Sequence, residues 1–227
     1  EMTLAIHHVK QSFSEKWIAY CDENQIPYKL VDCYRSDIIK QLQDCDFLMW
    51  HFSQNSPQAI LFAKQLLFSV EASGRKVFPD FNTVWHFDDK VGQKYLLEAI
   101  EAPLVDTAIF FRRDEAFQWA RNADYPKVFK LRNGAGSQNV RMVKNRAEAY
   151  NLIRKAFGKG FKAYDPLGSL NERWRKFKLG NTDFRDLVEG IARFIVPPPY
   201  ARIRGRERGY IYFQDFVPDN DHDIRVV

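Results

Sequence analysis

Cysteine is scarce in this chain, and two common glycine-rich phosphate loops are missing. The 227 residues hold only Cys21, Cys33 and Cys45. An odd number with no CxxC pair argues against a disulfide framework or zinc ribbon and predicts reduced thiols in the cytoplasm. No apolar run nears the ~20 residues that a membrane-spanning helix needs. The opening residues lack the basic region, apolar stretch and small cleavage residues of a secretory signal. Residues 7–12, after the first expected strand, carry no GxGxxG, which argues against a dinucleotide-binding Rossmann domain. A Walker loop would need Gly-Lys-Ser/Thr, and none is present.

What is present is an ordinary globular composition, 45% hydrophobic and 28% charged, enough for one large domain or two small ones. Thirty-four Lys and Arg against 29 Asp and Glu leave +5. That balance suits phosphates, nucleotides or acidic polymers without choosing among them.

Hydrophobic periodicity predicts strands over residues 3–9, 28–32, 46–50 and 76–78. Between them it predicts helices over 12–23, 36–43 and 57–72, with Ser12 and Glu15 as a capping box and Pro57 opening the third helix. Strands alternating with helices imply a parallel sheet, so residues 1–84 read as a small α/β unit. His7 and His8 are strand neighbours that point to opposite faces, so packing and surface roles are expected of them.

Asp88, Asp89 and Lys90 are expected to open a helix with Val91, Tyr95, Leu96 and Ile100 as its apolar stripe. Acids in a first turn suit the helix dipole, whereas Lys90 there does not. A strand over 104–111 and a helix over 114–123 follow. Strands 128–131 and 140–144 form a hairpin around Gly134, Gly136 and Ser137, and Asn145 with Glu148 caps a helix to about 157. The loop reads as a hairpin connection, a cover for phosphates, or both. Residues 158–209 are the least regular, with helices expected from Ser169 and over 183–194. Their Arg173, Arg175, Lys176, Lys178, Arg202, Arg204, Arg206 and Arg208, beside Trp174 and Phe177, read as a solvated face or as a track for a polyanion. Residues 210–218 form an apolar strand, and a polar turn leads to a second strand with Asp223 and Arg225.

The order of these pieces resembles the ATP-grasp superfamily over roughly residues 78–227. Asp89-Lys90 stands at a helix start, Lys130 on a hairpin strand before a Gly-rich loop, then Gln214-Asp215-Phe216-Val217, then Asp223-Ile224-Arg225. The last two segments are similar to RimK-like and glutathione-synthetase-like carboxylate–amine ligases. The resemblance implies a mixed α/β fold, a parallel unit followed by a partial ATP-grasp domain over 85–227, with an antiparallel lid sheet over about 106–217. ATP is the implied cofactor. Lys90 and Lys130 would lie against its phosphates, under the loop carrying Gly134, Gly136 and Ser137. Gln214, Asp215, Phe216 and Val217 would form the adenine hinge, with Asp215 where Glu is more usual. Asp223 would hold the ribose and Arg225 the transferred phosphoryl group.

The implied reaction joins a carboxylate to an amine through an acyl phosphate, with Mg²⁺. The family's metal ligands lie downstream of the Asp-Ile-Arg segment, hence past Val227. The resemblance therefore implies a fragment that does not complete the ligation alone. Two other readings stand beside it: a non-catalytic module binding an acidic polymer or nucleic acid through 173–208, and an ATP-grasp phosphotransferase.

Overall fold

The computed structural model describes residues 3–54, 56–133, 140–162 and 205–219. They fall into two compact units, Glu1–Phe87 and Asp88–Val227. No helix among the described residues is long and apolar enough to cross a membrane.

The first unit is built on four short strands, β1 (Leu4–His7), β2 (Tyr28–Val31), β3 (Phe47–Met49) and β4 (Lys76–Phe78). They pair in parallel in the order β2-β1-β3-β4, as the alternating pattern predicts. Helices α1 (Phe13–Glu23), α2 (Ile38–Gln41) and α3 (Pro57–Ala72) connect them. Ala5, Leu48, Trp50, Leu67 and Val70 lie at the heart of its core. Pro57 occupies the first turn of α3, and the Ser56 hydroxyl accepts from the Ala59 N–H. A proline there surrenders no hydrogen bond, because that N–H has no partner inside the helix. The capping box expected at α1 is only half formed. Ser12 makes no side-chain cap, and Glu15 instead accepts from the Gln11 N–H at 2.9 Å, one residue earlier.

One helical turn, α4 (Phe81–Val84), follows β4 and escaped the sequence reading. Four residues carry too little periodicity to be seen, although Asp80 caps it by accepting from the Thr83 N–H. All three cysteines are buried and form no disulfide. Burial pushes their thiols above the ordinary range, so they behave as small apolar groups.

The second unit begins with α5 (Lys90–Ala99). It lacks the expected acidic first turn. The helix starts at Lys90, and Asp89 is its cap rather than a helical residue. The expected stripe is not a core stripe either, since α5 holds no buried residue and Tyr95 and Ile100 are exposed. Strands β5 (Thr107–Phe110), β6 (Lys127–Lys130) and β7 (Arg141–Val143) come next, with α6 (Arg113–Asn122) and α7 (Arg146–Ala156) among them. A two-residue ribbon pairs β8 (Phe161–Lys162) with β9 (Arg206–Glu207), and β10 (Ile211–Asp215) closes the described chain. The four-stranded sheet runs β5-β10-β6-β7 and is antiparallel throughout.

Strand alternation gives that sheet two unlike faces. Phe129, Ile211 and Phe213 project toward α6 and α7 and join Ala116, Ala120, Ala149 and Ile153 in the second core. Trp119 stacks on Phe213 with ring centroids 5.0 Å apart. The residues between them, Val128, Lys130, Tyr212 and Gln214, belong to the other face.

Candidate functional site

The register fixes what shares that other face. Tyr212 stands opposite both Lys130 and Ile109, and Gln214 opposite both Val128 and Thr107. Lys130 Nζ donates to Gln214 Oε1 at 2.5 Å, and Gln214 Nε2 donates to Thr107 Oγ1 at 2.9 Å. A polar line, Lys130 to Gln214 to Thr107, thus crosses three strands.

Lys130 is half-buried. Loss of hydration and the positive charge of Lys90 together hold its ammonium below the ordinary lysine range. Two cations that act on each other in this way make the place favourable to an anion. Lys90 is brought there by the start of α5. The Lys90 N–H donates to the Arg132 carbonyl at 2.9 Å, which fastens the helix to the chain just past β6.

Asp89 makes the same junction with its side chain. Its Oδ1 accepts from the Gly92 N–H at 2.9 Å, and its Oδ2 pairs with Arg132 Nη2. The carboxylate is buried and the guanidinium half exposed. From Arg132 the network continues. Its N–H donates to the Tyr210 oxygen at 2.7 Å, Tyr210 donates to Glu207 Oε2 at 2.6 Å, and Asn133 Nδ2 donates to Glu207 Oε1 at 2.8 Å. Burial, with the Glu207 carboxylate beside it, raises the Tyr210 hydroxyl far above the usual phenol range, so it stays a donor.

Of the expected site, Lys90, Lys130 and Gln214 are brought together. Asp215 is not part of that group. Its side chain lies on the helical side, paired with Lys127 Nζ at 2.6 Å beside the Trp119 ring. Its backbone N–H donates to the Asp106 carbonyl. Phe216 and Val217 follow β10 with exposed side chains. Gly134, Gly136, Ser137, Asp223 and Arg225 lie outside the described residues, as does the basic run from Arg173 to Arg204. Arg206 is described, and its guanidinium is engaged by the Lys159 and Gly160 carbonyls.

Sequence reading missed Thr107, Arg132, Tyr210 and Glu207 as site residues. A signal existed only for Arg132, which sits between a motif lysine and the Gly-rich loop. No three His, Cys, Asp or Glu gather as a metal site among the described residues. A depression of about 370 Å³ lined by Glu115, Gln118, Trp119 and Asn122 lies on the helical side, away from the lysines.

No protein-family model and no curated protein matches this chain. Solved structures do. The biotin carboxylase domain of the 2-oxoglutarate carboxylase of Hydrogenobacter thermophilus, determined with MgADP, ADP and bicarbonate, is similar over 96% of this chain and 45% of its own, at 12% identity and TM-score 0.52. An ATP-grasp RimK domain protein of Sphaerobacter thermophilus matches over 95% and 64%, at 15% identity and TM-score 0.49. N5-carboxyaminoimidazole ribonucleotide synthetase of Thermotoga maritima matches over 66% and 43%, at 16% identity and TM-score 0.49. The chain spans less than two thirds of the length of each. What is shared at such identities is the fold.

Proposed function

From the ATP-grasp fold of this chain we propose that it is the nucleotide-binding part of an ATP-dependent carboxylate–amine ligase of the RimK-like kind, working in the cytoplasm. The observation that carries this is half-buried Lys130 on β6, hydrogen-bonded to Gln214 on β10, with the charge of Lys90 at the start of α5 acting on it. Few ligands other than a polyphosphate would reward two adjacent ammonium groups. The N-terminus of α5 adds its dipole to the same place.

Lys90 and Lys130 would bind the phosphates, and the backbone at Phe216 and Val217 would meet adenine at the end of β10. Gln214 would hold Lys130 in place through its 2.5 Å hydrogen bond. Asp223 and Arg225 keep the ribose and phosphoryl roles that the resemblance implies. A substrate carboxylate oxygen would attack the γ-phosphorus, forming an acyl phosphate and releasing ADP. An amine would then attack the acyl carbon, expelling inorganic phosphate and leaving an amide. Catalysis of this kind rests on positioning and charge stabilisation, which lysines supply. Mg²⁺ would accompany the nucleotide, but the described residues offer it no ligand cluster, and no step is routed through it.

Calorimetric titration of the full-length protein with ATP and Mg²⁺ tests the reading. Saturable binding is expected, weakened at least tenfold by Lys130→Ala, the loss of one charged contact. Absence of binding, or binding indifferent to that change, would sink it. Hydroxylamine trapping of an acyl phosphate then separates a ligase from a phosphotransferase.

A further inference from the structure

Arg132 belongs to no part of the proposed phosphate contacts, yet its carbonyl, its N–H and its guanidinium are each engaged. Its carbonyl accepts the Lys90 N–H, its guanidinium pairs with the buried Asp89 carboxylate, and its own N–H is held by Tyr210. Two of these three contacts grip residues 89 and 90, which begin α5. The third anchors Arg132 to the segment leading into β10, the strand that carries Gln214. Lys130, two residues back, donates to Gln214.

We propose that Arg132 is a positioning residue: clamped by Asp89 and Tyr210, it sets where Lys90 stands relative to Lys130 and thereby tunes the pair for a polyphosphate. This rests on the nucleotide reading above and deepens it. The geometry explains why an arginine is used. A planar guanidinium reaches the carboxylate while its backbone serves the helix start and the tyrosine, and a lysine there would offer only a point charge. It also explains the burial of Asp89, whose two oxygens divide the work between capping Gly92 and holding Arg132. The effect of the Lys90 charge on Lys130 is the electrostatic sign of the alignment.

Asp89→Asn is the discriminating variant. Asparagine caps a helix as well as aspartate does, so α5 keeps its start while Arg132 loses its anion. Arg132→Met removes the guanidinium from the other side and deprives the Asp89 carboxylate of that cation. The double variant Asp89→Asn/Arg132→Met leaves neither charge behind and guards against simple misfolding of the single one.

Two measurements on the full-length protein are needed. First, affinity for ATP with Mg²⁺ is compared with affinity for adenosine, which carries no phosphate. Each variant is expected to weaken ATP about ten- to a hundredfold, the range for one charged hydrogen bond lost, while adenosine is unchanged. The double variant should be no worse than the worse single, because the residues act as a unit. Second, the rate of Lys130 acylation is followed against pH by mass spectrometry without nucleotide. Releasing Lys90 lets the Lys130 ammonium rise toward its ordinary range, so its reactivity should move to higher pH in every variant.

Equal losses for ATP and adenosine would reduce Arg132 to a structural role and overturn the inference. If Asp89→Asn leaves ATP affinity intact while Arg132→Met destroys it, Arg132 touches the phosphates directly and positions nothing. A wild-type protein that binds no ATP fails the nucleotide reading instead. The acylation profile still decides the alignment of the two lysines, and an unmoved profile overturns it.

Discussion

A half-buried ammonium within the field of a second cation opposes folding, and Lys130 is placed that way. With its folded pKa lowered, the unfolded chain holds the proton more tightly. The penalty therefore stands in full at neutral pH and fades as pH climbs from the folded value toward 10.5. Lys130→Met is accordingly expected to raise the thermal midpoint of the ligand-free protein by a few degrees, as removal of functional strain commonly does. The same change would weaken ATP binding. A fall in the midpoint would mean that the hydrogen bond to Gln214 outweighs the repulsion. His7 gives a test of the same sign at lower pH in the first unit. It is buried between Tyr34 and Trp50, its Nδ1 lies 3.1 Å from the Cys33 N–H, and burial lowers its pKa below 6.5 despite Asp32 at 3.9 Å. His8 adds a small push the same way. The unfolded chain then binds the extra proton first, so stability is present above pH 6.5 and lost as pH falls below it. Urea midpoints of the wild type should drop between pH 7.5 and 5, and those of His7→Gln should drop less. Equal drops would assign the acid sensitivity elsewhere. Lys90, Lys130 and Gln214 were named as candidates because motif order lies along the chain. Arg132, Tyr210 and Thr107 were not, since their partners are 43, 78 and 107 residues away.

Elements were legible where periodicity was long and caps were local. Helices α3 and α7 were found from Pro57 and from Asn145 with Glu148, and in the structure Ser56 and Asn145 satisfy N–H groups three residues on, at Ala59 and Glu148. At α7 Glu148 also accepts from the Lys144 N–H at 2.9 Å, one residue before the cap, as Glu15 does from Gln11 at α1. Asn145→Ala should cost about 1 kcal/mol in denaturant unfolding, the usual worth of such a cap. The β8–β9 ribbon was invisible for the contrary reason. Two residues show no alternation, and its position depends on a close approach rather than on pattern. Gly160 has φ +69°, and a Cβ there would come within 2.6 Å of the Glu207 carbonyl oxygen. Arg206 holds the same turn through the carbonyls of Lys159 and Gly160. Backbone has no rotamer with which to yield, so Gly160→Ala combines a strained φ with a clash. It is expected to destabilise by about 1–3 kcal/mol. Because Glu207 carries the hydrogen bonds to Tyr210 and Asn133, the change should also weaken ATP binding. Stability loss with ATP affinity intact would show that the ribbon and the lysine pair are independent.

At the scale of the whole molecule, each unit owns a core. One gathers around Trp50, Leu48 and Leu67, the other around Phe129, Phe213 and Ile153. The proposed phosphate contacts all come from the second unit. A ligand stabilises what binds it by RT ln(1 + [L]/Kd), which is about 2.7 kcal/mol at a hundred times Kd. That energy should therefore appear first in the antiparallel sheet. Hydrogen exchange followed by mass spectrometry, with and without saturating ATP and Mg²⁺, is expected to slow amides in β6 and β10 by about a hundredfold, the equivalent of that energy. Amides of β1 and β3 should change far less, since their core contributes nothing to the lysine pair. Equal protection of both sheets would mean that the units open as one, and the nucleotide would then stabilise the fold as a single cooperative body. Protection confined to β1 and β3 would move the ligand to the parallel sheet and remove the lysine pair from its binding. The two lysines come from separate elements, a helix start and a strand end. Any nucleotide that protects β6 through Lys130 must therefore also quiet the first turn of α5, and exchange at Gly92 and Gln93 reports whether it does.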